Sequence, residues 1–177
     1  MATVNLLPTG DVSNDWTLST GSDVYALLDD NHTGFMTGDS SLLSSSSAGS
    51  SCIVSFADFG ESYSAINSVT AVTRAGNNGR GRTFELTTRI ISGGSTLYTE
   101  SSGTQAASAA YRTQTYTTRT TSDGSNAWTK SDLDGLQMRI DLASHSGGLT
   151  RFTHCYYVID YDLPVTTDNS IFFGTNF

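Results

Sequence analysis

The heptapeptide LQMRIDL, Leu136–Leu142, decides the fold class. Leu136, Met138, Ile140 and Leu142 fall on one side of an extended chain, and Gln137, Arg139 and Asp141 fall on the other. A period of two with one apolar and one polar side is a strand lying on a core with its back to water. Upstream, SNAWTKSDLDG (Ser125–Gly135) concentrates acids but reads as a corner. Thr129 can cap a helical turn over TKSDLDG, with Asp132 three residues on as the short-carboxylate form of a capping box. Asp132 and Asp134 then bond nearby backbone amides, and Asp141 sits on the wet side of the strand. Downstream, SHSGG (Ser144–Gly148) holds His145 and predicts a hairpin into RFTHCYYVIDY. In that run Phe152, Tyr156 and Val158 share one side and Cys155, Tyr157, Ile159 and Tyr161 the other, so it reads as a central strand covered on both faces.

The same pattern recurs along the chain. TFELTTRII puts Phe84, Leu86, Thr88 and Ile90 opposite Thr83, Glu85, Thr87 and Arg89. SCIVSF, AINSVTAVTRA, STLYTE and the Thr/Tyr-rich AAYRTQTYTTRT add strands, and DWTLS and VYALL are candidates near the start. AGNNGRG and SGGS are glycine-rich hairpin signals. No segment sustains a helical period, and no internal repeat is visible. About eight to nine strands with hairpin spacing predict an all-β fold, an antiparallel β-sandwich of jelly-roll type. Residues 16–162 form the single domain, with a Ser/Gly-rich loop over 32–51. Residues 1–15 and 163–177 read as N- and C-terminal arms.

Composition agrees with a folded β protein. Of 177 residues 37% are hydrophobic, 10% aromatic and only 15% charged, so the polarity comes from hydroxyls and amides. The net charge of −8, with eight arginines and one lysine (Lys130), argues against nucleic acid and anionic membranes as partners. The N-terminus lacks a signal-peptide pattern, and no apolar run approaches the roughly 18 residues of a membrane span. Cys52 and Cys155 each lie in an apolar β run. They read as small buried residues, with a bridge between them as the alternative.

Candidate chemistry is sparse. His32, His145 and His154 are scattered, and no metal-ligand spacing, nucleophile elbow or phosphate loop is present. No cofactor or catalytic set is expected. GNNGRG (Gly76–Gly81) is followed by a β pattern and reads as a turn. Asp29, Asp30 and Asn31 offer oxygens for calcium, although Asp-Asp-Asn is also ordinary turn chemistry. Glu61, Glu85 and Glu100, together with the aspartates, could supply a glycosidase carboxylate pair, but nothing in the spacing joins any two of them. Trp16, Trp128, Tyr63, Tyr98, Tyr111 and Tyr116 could make a stacking platform for sugars; the two tryptophans read more naturally as caps on the core.

NLLPTGDVSNDWT, AWTKSDLDGLQMRIDL and RFTHCYYVIDYDL together resemble tailed-bacteriophage virion structural proteins, from about Asn5 to Leu163. The resemblance implies a jelly-roll protein similar to capsid decoration (cement) proteins: non-enzymatic, on the capsid surface of a virion assembled in the host cytoplasm. Its implied partners are the major capsid protein and itself as a homotrimer. Arm docking would then use Leu6, Leu7 and Pro8 at one end and Ile171, Phe172, Phe173 and Phe177 at the other. The alternative is a tail- or fibre-associated β module that binds host-surface glycans.

Overall fold

The computed structural model describes residues 1–29, 39–79, 81–107 and 110–165. Among these, two six-stranded antiparallel sheets face each other across one core. The all-β sandwich expected from the alternating runs is the fold observed.

The first sheet comprises β1 (Ala2–Leu6), β3 (Thr17–Leu18), β4 (Leu43–Ser45), β6 (Ala65–Asn77), β10 (Arg112–Thr115) and β12 (Thr150–Asp162). Its order is β10-β6-β12-β4-β3, with β1 beside the far half of β12. The second comprises β2 (Pro8–Asn14), β5 (Ser51–Phe56), β7 (Thr83–Ser92), β8 (Ser95–Ser101), β9 (Gln105–Ala106) and β11 (Gln137–His145). Its order is β2-β5-β11-β7-β8, with β9 beside β7. Met138, Ile140 and Leu142 of β11 meet Phe152, Cys155, Tyr157 and Ile159 of β12 in the core, all of them completely buried. Each such side chain contributes roughly 1.5–3 kcal/mol relative to exposure.

Several expectations are corrected. Residues 1–15 are not an arm: β1 adds to the first sheet along Tyr157–Tyr161 and β2 to the second along Cys52–Phe56. The chain changes sheets at Leu7, and Pro8 opens an edge strand, where a missing N–H costs least. VYALL is helical, not extended. α1 (Tyr25–Leu28) turns Val24, Leu27 and Leu28 into the core, and its first amides are held from a distance: Val24 N and Tyr25 N donate to the Asp11 carboxylate at 2.7 Å each. Residues 39–51 of the expected loop contain β4, with Leu42 and Leu43 buried.

In β12 a bulge between Phe152 and His154 reverses the phase, so Phe152 joins the core side with Cys155 instead of sharing a side with Tyr156. The strand is otherwise covered on both faces as expected, with Thr153 and His154 buried on its outer side. SGGS is a true two-residue hairpin, Gly93 and Gly94 having φ of 55° and 79° between β7 and β8. SHSGG and AGNNGRG are not hairpins; each carries the chain from one sheet to the other. Asn77 locks the two crossings together. Its side-chain amide donates to Gly147 O (3.2 Å) and Thr150 Oγ1 (3.1 Å) and accepts from Gly79 N (2.8 Å). At Gly148, φ 78°, a Cβ would come within 2.6 Å of Asn77 Oδ1, so only glycine fits.

α2 (Lys130–Asp134) is the expected helical turn. Asp132 N donates to Thr129 Oγ1 (3.2 Å), and Thr129 N donates back to Asp132 Oδ2 (2.9 Å), the reciprocal capping box. Asp134 reaches further than its neighbours, accepting from Phe59 N (3.0 Å) and Lys130 Nζ (2.6 Å).

Candidate functional site: the outer face of the second sheet

Alternation leaves β5, β11, β7 and β8 with outward residues that register sets side by side. Gln137 lies between Ser55 and Ile91, Arg139 between Ile53 and Arg89, and Asp141 between Ser51 and Thr87. On β8, Thr99 is opposite Arg89 and Ser101 opposite Thr87. The result is a continuous face of hydroxyl, amide and guanidinium groups with two isoleucines set into it. At its β2 edge Gly10 keeps the surface low, since a Cβ there would sit 2.8 Å from Ser55 Oγ.

Its centre is charged. Arg89 and Arg139 face each other directly across β7 and β11, an opposition of like charges that destabilises a sheet. Asp141 relieves it. Arg139 Nε donates to Asp141 Oδ1 at 2.7 Å, and Arg89 Nη1 lies 2.9 Å from Oδ2. The Arg89 contact is an ion pair without a hydrogen bond's direction, and Oδ2 accepts no hydrogen bond. Asp141, expected on the wet side, is therefore on the predicted face but buried, its side chain 12% exposed against 32% and 37% for the two arginines. The face's remaining polar contacts stay within it or at its rim: Ser55 Oγ donates to Gly10 O (3.3 Å), Ser51 Oγ to Asp15 Oδ2 (3.0 Å), and Ser101 Oγ to Glu85.

Around the β12 bulge the outer face of the first sheet is closed by its own chain, while Tyr156, Val158 and Asp160 farther along the strand stay half-buried. Thr153 Oγ1 donates to Asp39 Oδ2 (2.8 Å) and Ser41 O (3.2 Å), Thr70 Oγ1 donates to Thr118 Oγ1 (2.9 Å), and the His154 and Tyr156 rings lie 4.9 Å apart. Burial and the neighbouring Asp39 carboxylate push the Tyr111 hydroxyl well above the usual phenol range. Between the sheets, at the β8–β10 edge, Thr73, Phe84, Leu86, Ser102, Gln105 and Gln114 line a cleft with room for about 10 Å³. That is about one water, far below a small-molecule pocket.

The other candidate residues are dispersed. Glu85 is on the outer face of the second sheet, Glu100 is paired with Arg119 (2.8 Å), and Glu61 lies beside Tyr161, so the three glutamates form no pair with one another. Among the described residues no group of three or more His, Cys, Asp or Glu side chains could hold a metal. Asp30, Asn31 and His32 lie outside the described residues, as do Ile171, Phe172, Phe173 and Phe177. Leu6 is in the core, Pro8 is buried at the start of β2, and Leu7 is exposed. Cys52 and Cys155 are both buried and unbonded to each other, and burial pushes both thiols far above their usual range.

The stacking platform is not formed. Trp16, Trp128, Tyr111 and Tyr116 are buried, and Tyr63 and Tyr98 pack partly buried against the core. Trp128 Nε1 donates to Arg119 O (2.8 Å), and Tyr116 OH accepts from Thr88 Oγ1 (2.8 Å). The arginine pair was missed from sequence because only cross-strand register joins residues fifty positions apart.

The sequence matches no protein family model and no curated protein. Among the solved structures it resembles are three at low similarity. One is the C-terminal CBM6 of LamC, a marine laminarinase from Zobellia galactanivorans (11% identity, TM-score 0.42, 90% of this chain and 100% of that one). Another is the Stig cyclase Fisc from Fischerella sp. TAU (11%, 0.45, 91% and 100%). The third is a CBM4 (13%, 0.36, 66% and 78%).

Proposed function

We propose that this chain is a non-catalytic β-sandwich module that binds a saccharide across the outer face of the second sheet. One observation carries the reading: register assembles Ser55, Gln137, Arg139, Arg89, Thr87 and Thr99 into one solvent-facing array of hydrogen-bonding groups. Sugar hydroxyls need such closely spaced donors and acceptors, and the half-buried Ile53 offers apolar footing for ring C–H groups. Fixing the array on strands keeps the ordering cost of binding low. Stacking on large aromatics has no part in it. Incubation with a panel of immobilised neutral and acidic polysaccharides tests it: retention by at least one, abolished by unfolding the protein, is expected. Passage of the folded protein through every matrix overturns the reading.

A second reading is a virion decoration protein that binds the major capsid protein, as a homotrimer, on the capsid surface. Besides the resemblance of its Ala-Trp-Thr and Leu-Asp-Gly-Leu segments, one structural feature favours it. Met1, Leu163 and Val165 are exposed apolar residues at one end of the sandwich, where the Met1 amine lies 3.6 Å from Asp162. Stoichiometric binding to undecorated heads is its test, and heads that remain bare remove it.

A further inference from the structure

We propose that the Arg89–Arg139 pair is an acid-recognition site that takes the carboxylate of a uronic-acid-bearing saccharide. The inference rests on the saccharide-binding reading and names the chemical class of the ligand.

The pair holds more positive charge and more donors than the fold uses. Two guanidiniums share one carboxylate, so one positive charge is left at the centre of the face. Arg139 Nε donates to Asp141 Oδ1, Arg89 Nη1 is ion-paired with Oδ2 at 2.9 Å, and among the described residues neither guanidinium makes a further hydrogen bond. Arg119 provides the contrast of a structural arginine. Its Nε and Nη2 both donate to Glu100 Oε1, at 3.0 and 2.8 Å, and its guanidinium stacks 4.3 Å from the centre of the Tyr98 ring.

Asp141 sits to one side of the two arginines and braces them. Holding Arg139 through Nε leaves the two Nη groups of that fork for another partner. Of the other acids near this face, Asp15 and Glu85 lie beyond Asp141, whereas Asp132 and Asp134 of α2 precede the Gln137 end. Asp15 accepts from Ser51, and Glu85 is bonded to Ser101. Asp132 and Asp134 of α2 are occupied by Thr129 N, Phe59 N and Lys130. Towards Gln137 the arginines are bordered instead by Ser55, Ile53, Ile91 and Thr99.

A planar carboxylate matches this opening, because a guanidinium presents paired N–H donors that a carboxylate accepts two at a time. The neighbouring amide and hydroxyls then reach hydroxyls of the same sugar ring. A nucleic acid fits poorly: one net positive charge in a chain of net −8 is not the continuous basic track that a phosphate backbone needs. The site is local enough to act within that acidic field, since charges are screened beyond about 8 Å at physiological ionic strength.

Calorimetric titration of the full chain tests the proposal, using hexagalacturonate, its carboxyl-reduced form, a sulfated galactan oligosaccharide and a neutral glucan hexamer. Hexagalacturonate should bind, and carboxyl reduction should weaken binding by about tenfold or more, the scale of a lost hydrogen bond to a charged group. Arg89→Gln and Arg139→Gln should each weaken it by about tenfold, and Arg89→Lys, which keeps the charge but not the fork, should recover only part. Equal affinity for the reduced hexamer, or binding of the sulfated oligosaccharide without the uronate, overturns the carboxylate assignment. Binding of the neutral glucan alone, unaffected by either substitution, overturns the acid site and leaves the saccharide face standing. If none of the four ligands binds, this inference fails, whereas the saccharide reading itself falls only with a blank polysaccharide panel. Should a variant misfold, the comparison of native and carboxyl-reduced ligand on the parent protein still decides.

Discussion

The two outer faces of the sandwich obey the same alternation and end in opposite states. On the first sheet, outward residues of β12 are closed over by the chain itself: Thr153 is tied to Asp39 and Ser41, and His154 is buried beside Tyr156. On the second sheet, outward residues of β11 and β7 bond chiefly to one another, and the two arginines keep about a third of their side-chain surface in water. Near the β12 bulge the first face has its polar groups used by the fold. The second has charge assembled at a cost in sheet stability and incompletely used by the fold, the property on which the proposed binding role rests.

The largest effect that would break this contrast is deletion of Thr153. It removes the extra residue of the β12 bulge, so Phe152 and its upstream neighbours must turn outward or the strand must re-register. Losing the burial of Phe152 alone should cost about 3–5 kcal/mol, read as a fall in the urea midpoint. Unchanged stability would contradict the phase assignment. Next comes Asp141→Asn, which leaves Arg89 and Arg139 opposed with no carboxylate between them. Because the arginines are partly solvated, a loss of about 1–2 kcal/mol is expected, between the values for exposed and buried pairs. Adding Arg89→Gln should restore part of it in a double-mutant cycle; additivity of the two changes would deny the bracing role. Thr153→Val should lower stability by about 1 kcal/mol through the lost bond to Asp39, with no effect on saccharide binding. The smallest expected effect is none: Cys52 and Cys155, buried as protonated thiols, should resist a thiol reagent in the folded protein and react on unfolding. Rapid labelling without unfolding would mean that the core between the sheets opens.

Much of the architecture was legible in the sequence. LQMRIDL and TFELTTRII carry unbroken alternation, and both strands and their core faces are as read. SCIVSF matches β5 residue for residue. Where the reading went astray, the deciding contact lay far along the chain. VYALL is too short for periodicity to separate helix from strand, and the carboxylate that secures its start is on Asp11. The glycines of SHSGG and AGNNGRG announce turns, but a turn's composition does not say whether the next strand returns to the same sheet. The bulge at Thr153 adds one residue without any proline or glycine to mark it. Leu6, Leu7 and Pro8 read as an interaction arm because an apolar dipeptide before proline looks unpartnered, until β1 and β2 are seen to enter different sheets. The arginine pair follows the same rule: the outward side of each strand was legible, whereas the juxtaposition of Arg89 and Arg139 required the register.

The most direct test of the central claim is a heteronuclear NMR titration of the labelled chain with a saccharide retained in the binding panel. Amide shifts should cluster on Ile53, Ser55, Thr87, Arg89, Ile91, Gln137 and Arg139, with the outer face of the first sheet silent. Shifts centred on Thr70, Thr153, His154 and Tyr156 would contradict it.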